Sequence, residues 1–290
     1  MATAERALES VTKLSKDLRD ASRLVTKEEA GYLVDAYHQI QEYRIRAAAQ
    51  VRERSKAEQP YATTQWLFEN LKLLEAQIKR ALLPFVQAHP MGDWLLSVHG
   101  IGAVLAAGLL AHIDIERAPT VGHIWSFAGL NPMAIWKKGA RRPWNPHLKV
   151  ICWLIGQSFI RQHKNPKCIY GHVYANRKVL EVQRNSEGLF ADQAKVCLEN
   201  KKYKKETIAR QSYESGRLPP AQLDQRASRY AVKLFLSHLH EVWYNQHYGV
   251  GPPKPYPIAI LGHAHHIAPE DGKQLHQPYN RRAPQAVSEP

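Results

Sequence analysis

The chain has 290 residues, and its 40 Lys and Arg against 26 Asp and Glu give a formal net charge of +14. A hydrophobic fraction of 44% with 23% charged residues is typical of a folded protein and excludes a wholly disordered chain. The positive excess is unusual for a metabolic enzyme and favours a polyanionic partner, with nucleic acid ahead of an anionic membrane surface.

The cysteine content and the apolar runs indicate a cellular compartment. The chain has three cysteines, Cys152, Cys168 and Cys197, and they form no CxxC pair. An odd number of widely spaced cysteines favours a reducing environment over a disulfide scaffold. The first 20 residues lack the apolar core of a signal peptide, and the longest apolar run, 101–113, is shorter than the roughly 20 residues that span a bilayer. We therefore expect a cytoplasmic, nucleoid-associated protein with no membrane partner.

The first 90 residues are predicted to form a helical hairpin or a coiled coil. A heptad stripe of apolar residues runs from Ala4 to Val25, and Thr26 with Glu29 forms a capping-box pattern that predicts the start of a second helix. Pro60 ends that region. A third helix is predicted from an apolar face that contains Leu67, Leu71, Leu74, Ile78, Leu82 and Phe85. Two interpretations stay open, a bundle that packs on itself and a homodimer formed through residues 1–90.

A glycine turn lies between two apolar helices in residues 91–135. Gly100, Ile101 and Gly102 allow a sharp turn, with Ile101 expected to fill the core and a second helix expected to begin after Gly102. The N–H groups of the turn and of the helix start predict a binding site for a backbone phosphate. A short helix with Thr120 as its N-cap is then expected to stop at 128–132.

Residues 117–180 contain no Asp or Glu. The basic residues of this span are Arg117, Lys137, Lys138, Arg141, Arg142, Lys149, Arg161, Lys164, Lys167, Arg177 and Lys178. The interleaved aromatic residues are Trp136, Trp144, Trp153, Tyr170 and Tyr174. Cations neutralise phosphates and aromatic rings stack on unpaired bases, so the span predicts contact with nucleic acid. The predicted DNA-binding residues are Gly100, Ile101, Gly102, Lys137, Lys138, Arg141, Arg142 and Lys149.

The remaining residues complete a mostly α-helical fold. A polar helical insertion is predicted at 181–225, a long helix from about Pro220, and a Pro-rich extended tail at 249–290. The predicted domains are a helical region at 1–90, a helical DNA-binding domain at 91–248, and the tail.

The sequence predicts no cofactor, no metal site and no catalytic residue. No P-loop or dinucleotide fingerprint is present, and His163, Cys168 and His172 lack the paired blocks of a zinc site. Ser126 and Ser158 lie in apolar helical patterns, where packing is the expected role.

A family resemblance is carried by three segments in a fixed order: HGIGAVLAAGLLAHI, WSFAGLNP and NPHLKVICWLIGQSFI. Together they resemble the C-terminal domain of bacterial insertion-sequence transposases that pair a RuvC-like DEDD domain with a Ser-bearing domain, the bridge-RNA-guided recombinases. The late segments RASRYAVKLFLSHLHEVWY and PYPIAILGH are similar to the ending of transposase-like relatives. The resemblance covers about 94–180 and 226–265, and the glycine turn also resembles a helix-hairpin-helix.

The resemblance implies a transposase-like DNA-binding protein of a mobile element that takes part in DNA transposition or recombination. Its implied partners are DNA and, as open alternatives, a guide RNA and a separately encoded catalytic subunit. Lys137 or Lys138 stands where the family has its catalytic Ser, and residues 1–90 offer no DEDD set, so the resemblance transfers no active site and leaves open whether the chain is an enzyme. The alternative function is a non-catalytic architectural or regulatory nucleic-acid-binding protein of a mobile element or phage.

Overall fold

A computed structural model describes residues 22–204 and 206–253 of the chain. Within these residues the backbone forms ten α-helices and no strand, which confirms the prediction of a mostly α fold. The helices are α1 (Lys27–Lys56), α2 (Ala62–Ala88), α3 (Gly92–Ser97), α4 (Ala103–His112), α5 (Val121–Phe127), α6 (Pro146–Arg161), α7 (Ile169–Ser186), α8 (Ala191–Asn200), α9 (Ile208–Glu214) and α10 (Pro220–Tyr248). The heptad stripe before residue 22 and the tail after residue 253 lie outside the described residues.

Local signals set the ends of the longest helices. The Thr26 hydroxyl accepts a hydrogen bond from the Glu29 N–H at 3.2 Å, so Thr26 caps α1 as predicted. Pro220 occupies the first turn of α10, where its missing N–H costs nothing, and Gly249 ends that helix with a φ of +69°. In the described part of the chain, no helix combines the length and apolarity needed to cross a membrane.

The described residues divide into two compact units. The first unit contains 22–114 and 145–151, and the second contains 115–144 and 152–253 with residue 205 omitted. Helix α6 contributes its first turns to the first unit and the rest of its length to the second. The predicted domain division at residues 90 and 248 stays a prediction.

The core of the first unit forms where α4 packs against α1 and α2. Helix α4 is buried along most of its length because small residues let its neighbours approach closely. A Cβ on Gly108 would lie 2.6 Å from Cδ1 of Ile151 and 3.4 Å from Cγ1 of Val34, so a side chain there would displace its neighbours. Leu82 of α2 is fully buried in the same unit.

A polar network joins α1 to α2 inside the first unit. Glu75 accepts hydrogen bonds from the Tyr37 hydroxyl at 3.1 Å, from the Gln41 amide at 2.9 Å, and from Arg44. Burial raises the pKa of Glu75, but these hydrogen bonds outweigh it and hold the pKa below its usual value. Burial and the neighbouring carboxylate raise the pKa of Tyr37 to about 12.

The apolar face that the sequence predicts for α2 is wider than the part of the helix surface that is buried. Leu67 and Leu74 are 45% and 39% exposed, although the periodicity places them with Leu82. Leu74 precedes Glu75 by one residue and therefore lies about 100° around the helix from the side chain that bonds to α1. Leu67 lies one heptad before Leu74 and therefore on the same exposed side of α2.

The second unit is organised around the pairing of α7 with α10. Phe159, Tyr170 and Phe235 form an aromatic cluster with ring centroids 5.1 to 5.7 Å apart, and the Tyr170 hydroxyl lies 2.7 Å from Nδ1 of His238. The predicted polar insertion at 181–225 contains α8 and α9 and has its own small cluster of buried residues. That cluster consists of Ala194, Tyr213, Leu218 and Leu223.

We expect Glu75→Gln to lower the free energy of unfolding by about 1–3 kcal/mol at neutral pH, because a partly buried acceptor of three hydrogen bonds loses its charge. A carboxylate with a depressed pKa stabilises the fold above its unfolded pKa and loses that contribution as the pH falls. The difference from wild type should therefore shrink in urea unfolding measured below about pH 4.

The matched control is Glu42→Gln. Glu42 pairs with Arg46 on the exposed side of α1, and both side chains are more than 60% exposed. Removal of an exposed pair changes stability by no more than about 1 kcal/mol. Equal destabilisation of both variants would contradict a special role of Glu75.

Candidate nucleic-acid interface

The glycine turn is built as the sequence predicts. Gly100 has a φ of +102°, a conformation that side-chain-bearing residues rarely adopt. The Ile101 N–H donates to the carbonyl oxygen of Val98 at 2.9 Å, and Ile101 is only 5% exposed. Gly102 follows as the N-cap residue of α4, which begins at Ala103. The buried side chain of Ile101 therefore holds the turn in the core of the first unit.

Gly102 is exposed and is not required by the fold. Its φ of −101° and ψ of 175° suit any residue, and a Cβ built on it would meet no heavy atom within 4 Å. The first helical hydrogen bond of α4 runs from the Ala106 N–H to the Gly102 carbonyl at 3.0 Å. The N–H groups of residues 103–105 precede that bond, as at any helix start. A side chain at Gly102 would lie beside these groups on the solvent side.

Residues 131–142, here called the basic loop, follow α5 in the second unit. The Asn131 side chain holds the start of this loop: its Nδ2 donates to Oγ of Ser126 at 3.3 Å, and its Oδ1 accepts from the Met133 N–H at 3.0 Å. Sequence reasoning did not single out Asn131, although an Asn that bonds the backbone two residues later is a common turn signal.

A second set of contacts braces the middle of the basic loop. The Trp136 Nε1 donates to the Ala140 carbonyl at 2.7 Å, and the Ala140 N–H donates to the Lys137 carbonyl at 3.1 Å. Gly139 has a φ of +89°, which suits the third position of a type II turn. The Arg142 guanidinium lies 5.4 Å from the centre of the Trp136 ring. Contacts within the loop thus hold its backbone in this conformation.

The four cations of the basic loop have no acidic partner within residues 22–204 and 206–253. Lys137, Lys138, Arg141 and Arg142 are all exposed and form no ion pair with any of these residues. The interaction that Arg142 does form is with an aromatic ring. This loop is therefore a local concentration of uncompensated positive charge.

Two other cations of the acid-free span are neutralised by carboxylates that lie outside it in sequence. Arg177 pairs with Glu181 at 2.5 Å, and Lys178 pairs with Asp224 at 2.7 Å. Glu181 is 1% exposed and also accepts from Arg226 at 2.7 Å. Burial raises the pKa of Glu181, yet its two arginines outweigh that effect and hold the pKa below its usual value.

The two tyrosines of the acid-free span are buried in the core of the second unit. Tyr170 and Tyr174 are 6% and 3% exposed, and burial raises the pKa of both hydroxyls. The Tyr174 hydroxyl donates to Asp224, so it is engaged within the second unit. Neither ring is accessible for stacking on a base, whereas Trp136 and Trp153 are 39% and 52% exposed.

The predicted contact residues fall in both units. Gly100, Ile101 and Gly102 belong to the first unit together with Lys149, which is exposed in the first turn of α6. Lys137, Lys138, Arg141 and Arg142 belong to the second unit. The structure therefore places the glycine turn in one unit and the basic loop in the other, each as a local cluster.

Ser126 and Ser158, which the sequence places in apolar helical patterns, are engaged in hydrogen bonding or packing. Ser158 is 8% exposed, and Ser126 accepts the hydrogen bond from Asn131. Among the described residues, no group of three or more His, Cys, Asp or Glu side chains is arranged to hold a metal ion. His263, His265 and His266, which are close together in the sequence of the tail, lie outside the described residues.

The comparison with known families identifies one segment. Residues 92–167 match the model of the transposase IS116/IS110/IS902 family. No curated protein and no solved structure matches the chain. The matched segment contains all eight predicted contact residues, and the match supports a transposase-like role in a mobile element.

We expect the two glycines of the turn to respond differently to substitution. Gly100→Ala should lower the free energy of unfolding by about 1–2 kcal/mol, since its positive φ strains any residue with a Cβ. Gly102→Ala should be neutral or stabilising by up to about 1 kcal/mol, since its backbone and surroundings accept a methyl group. Urea unfolding of both variants checks this contrast, and equal destabilisation would contradict the described turn.

Proposed function

We propose that this protein is a transposase-like DNA-binding protein of a mobile element that takes part in DNA transposition or recombination. The observation that carries the proposal is the basic loop, an uncompensated group of four exposed cations inside the segment that matches a transposase family. A transposase must hold DNA, and the loop supplies the charge that DNA binding requires.

The exposed cations of the basic loop are better suited to binding phosphate than to stabilising the fold. An ion pair within the chain would neutralise these side chains, as Glu181 and Asp224 neutralise Arg177 and Lys178. Cations left exposed gain most from a polyanion, because binding to DNA phosphates releases condensed counterions. Phosphate contacts fix the position of the protein on DNA and carry little sequence information.

The glycine turn is proposed as a second phosphate contact. Gly102 is exposed and unneeded for the fold, and a glycine in such a place permits close approach of a ligand to backbone N–H groups. Lys149, exposed in the first turn of α6, adds positive charge within the same unit. We propose that the turn and the loop both bind the DNA backbone.

Replacement of Lys137, Lys138, Arg141 and Arg142 by Gln is expected to weaken binding to duplex DNA. The slope of log K against log salt should become shallower by about 0.9 for each phosphate that the variant no longer neutralises. Fluorescence anisotropy titrations across a range of salt concentrations measure this slope. Gly102→Ala in the same titration tests the turn, where weaker binding without any loss of stability is expected.

The charge-matched control is the replacement of Lys195, Lys201, Lys202 and Lys204 by Gln. These lysines are exposed, belong to the same unit, and their replacement removes the same four charges. This variant should keep a salt slope close to that of wild type. If both quadruple variants shift the slope equally, net charge and not the basic loop determines binding.

Strand cutting is assigned in this proposal to a separately encoded subunit. Lys137 or Lys138 stands where the resembling family has its Ser, and a lysine cannot form the ester to DNA phosphate that a serine nucleophile forms. A strand-cleavage assay on the ends of the element with Mg²⁺, run with and without the product of the neighbouring reading frame, tests this assignment. Cleavage by the chain alone would contradict it.

The alternative function is a non-catalytic architectural or regulatory protein of a mobile element or phage. The absence of cleavage with every neighbouring gene product, together with retained DNA binding, would favour this alternative. A guide RNA, a second copy bound through residues 1–90 and an association with the nucleoid are further proposals from the sequence.

A further inference from the structure

We propose that Met133 and Ile135 insert between base pairs of duplex DNA as an apolar wedge. This inference rests on the proposed function, since it requires that the basic loop binds DNA. It assigns to these two residues a contact with bases that the cations cannot provide.

The first observation is the exposure of the two side chains. Met133 and Ile135 are each 82% exposed, whereas Ile124 and Ala128 of the preceding segment are buried. Large apolar side chains this exposed are common singly, but here two of them lie two residues apart within one short loop. The loop therefore presents apolar surface that the fold does not use.

The second observation is that the loop is held in place by other residues. Asn131 fixes its start through Ser126 and the Met133 N–H, and Trp136 fixes its middle through the Ala140 carbonyl. These hydrogen bonds position the loop without any contribution from the Met133 and Ile135 side chains. An apolar group on a positioned loop loses little conformational entropy when it is inserted into a partner.

The third observation is the charge around these side chains. Lys137 and Lys138 follow Ile135 by two and three residues, and Arg141 and Arg142 complete the basic loop. A second copy of the same loop would be repelled by this charge, and an apolar protein surface would gain nothing from it. A duplex offers phosphates to the cations and an apolar interior between base pairs, so it satisfies both kinds of side chain.

The chemistry of insertion then predicts where the wedge acts. Apolar side chains such as Met and Ile, placed between base pairs, partly unstack them and bend the duplex, and the cost is offset by wider contact with the protein. Pyrimidine–purine steps such as TA unstack most easily. The wedge would thus give a preference for flexible steps, which phosphate contacts alone do not supply.

The test uses the full chain and a duplex that carries 2-aminopurine beside a central TA step. Wild-type protein should increase the fluorescence of 2-aminopurine, because this base brightens when it is unstacked. The double variant Met133→Gln with Ile135→Gln should lose most of this increase and bind roughly tenfold more weakly, as expected when an apolar anchor is removed. Its salt slope should match that of wild type, since neither residue contacts a phosphate.

Two controls separate insertion from a general effect of polarity. Leu189→Gln with Ile208→Gln replaces two residues of the same unit that are 65% and 69% exposed outside the loop, and it should retain the fluorescence increase. Met133→Leu with Ile135→Leu keeps the apolar character of the wedge and should also retain the increase.

The outcomes distinguish this inference from the proposed function. Salt-dependent binding without any fluorescence increase would overturn the wedge and leave DNA binding in place. An increase that persists in the Met133→Gln and Ile135→Gln variant would also overturn it, because other residues would then unstack the bases. Absence of duplex binding by the wild-type chain would overturn the proposed function and the wedge together.

Discussion

The pairing of positive charges with carboxylates separates two sets of cations in residues 117–180, those of the basic loop and those in the middle of α7. On α7, Arg177 pairs with Glu181 one turn further along the same helix, and Lys178 pairs with Asp224 of α10, so both charges are compensated within the second unit. In the basic loop the cations have no such acids among the described residues, and their charge remains available to a partner. A net charge of +14 therefore matters less for binding than the place where that charge is left uncompensated.

Local patterns predicted the helices well, because caps and turns depend on residues that are close in sequence. The Thr26 cap, the helix start after Gly102 and the long helix from Pro220 were all confirmed. The predicted apolar face of α2 includes Leu67 and Leu74, yet both are exposed, because periodicity gives the width of an apolar stripe but not how much of that stripe the neighbouring helices cover. Contacts between distant residues, such as Lys178 with Asp224, have no local signal.

The sequence predicted where the basic residues of the candidate site lie, but not which side chains around them are exposed. The acid-free span drew attention to the basic loop, yet it also included Tyr170 and Tyr174, which burial assigns to the core. A count of aromatic residues cannot separate a buried tyrosine from an exposed one. Met133 and Ile135 went unnoticed for the converse reason, since apolar side chains are expected inside and leaving each in water forgoes about 1.5–3 kcal/mol of burial.

The way in which Asn131 secures the basic loop has a consequence for how the protein could change. One amide side chain joins the loop to Ser126 at the end of α5, and the positions after it contribute little to the core. Substitutions at those positions would alter the surface that the loop exposes while the helical scaffold keeps its stability. The segment is thus suited to diversification, because its sequence can change without loss of the packed core.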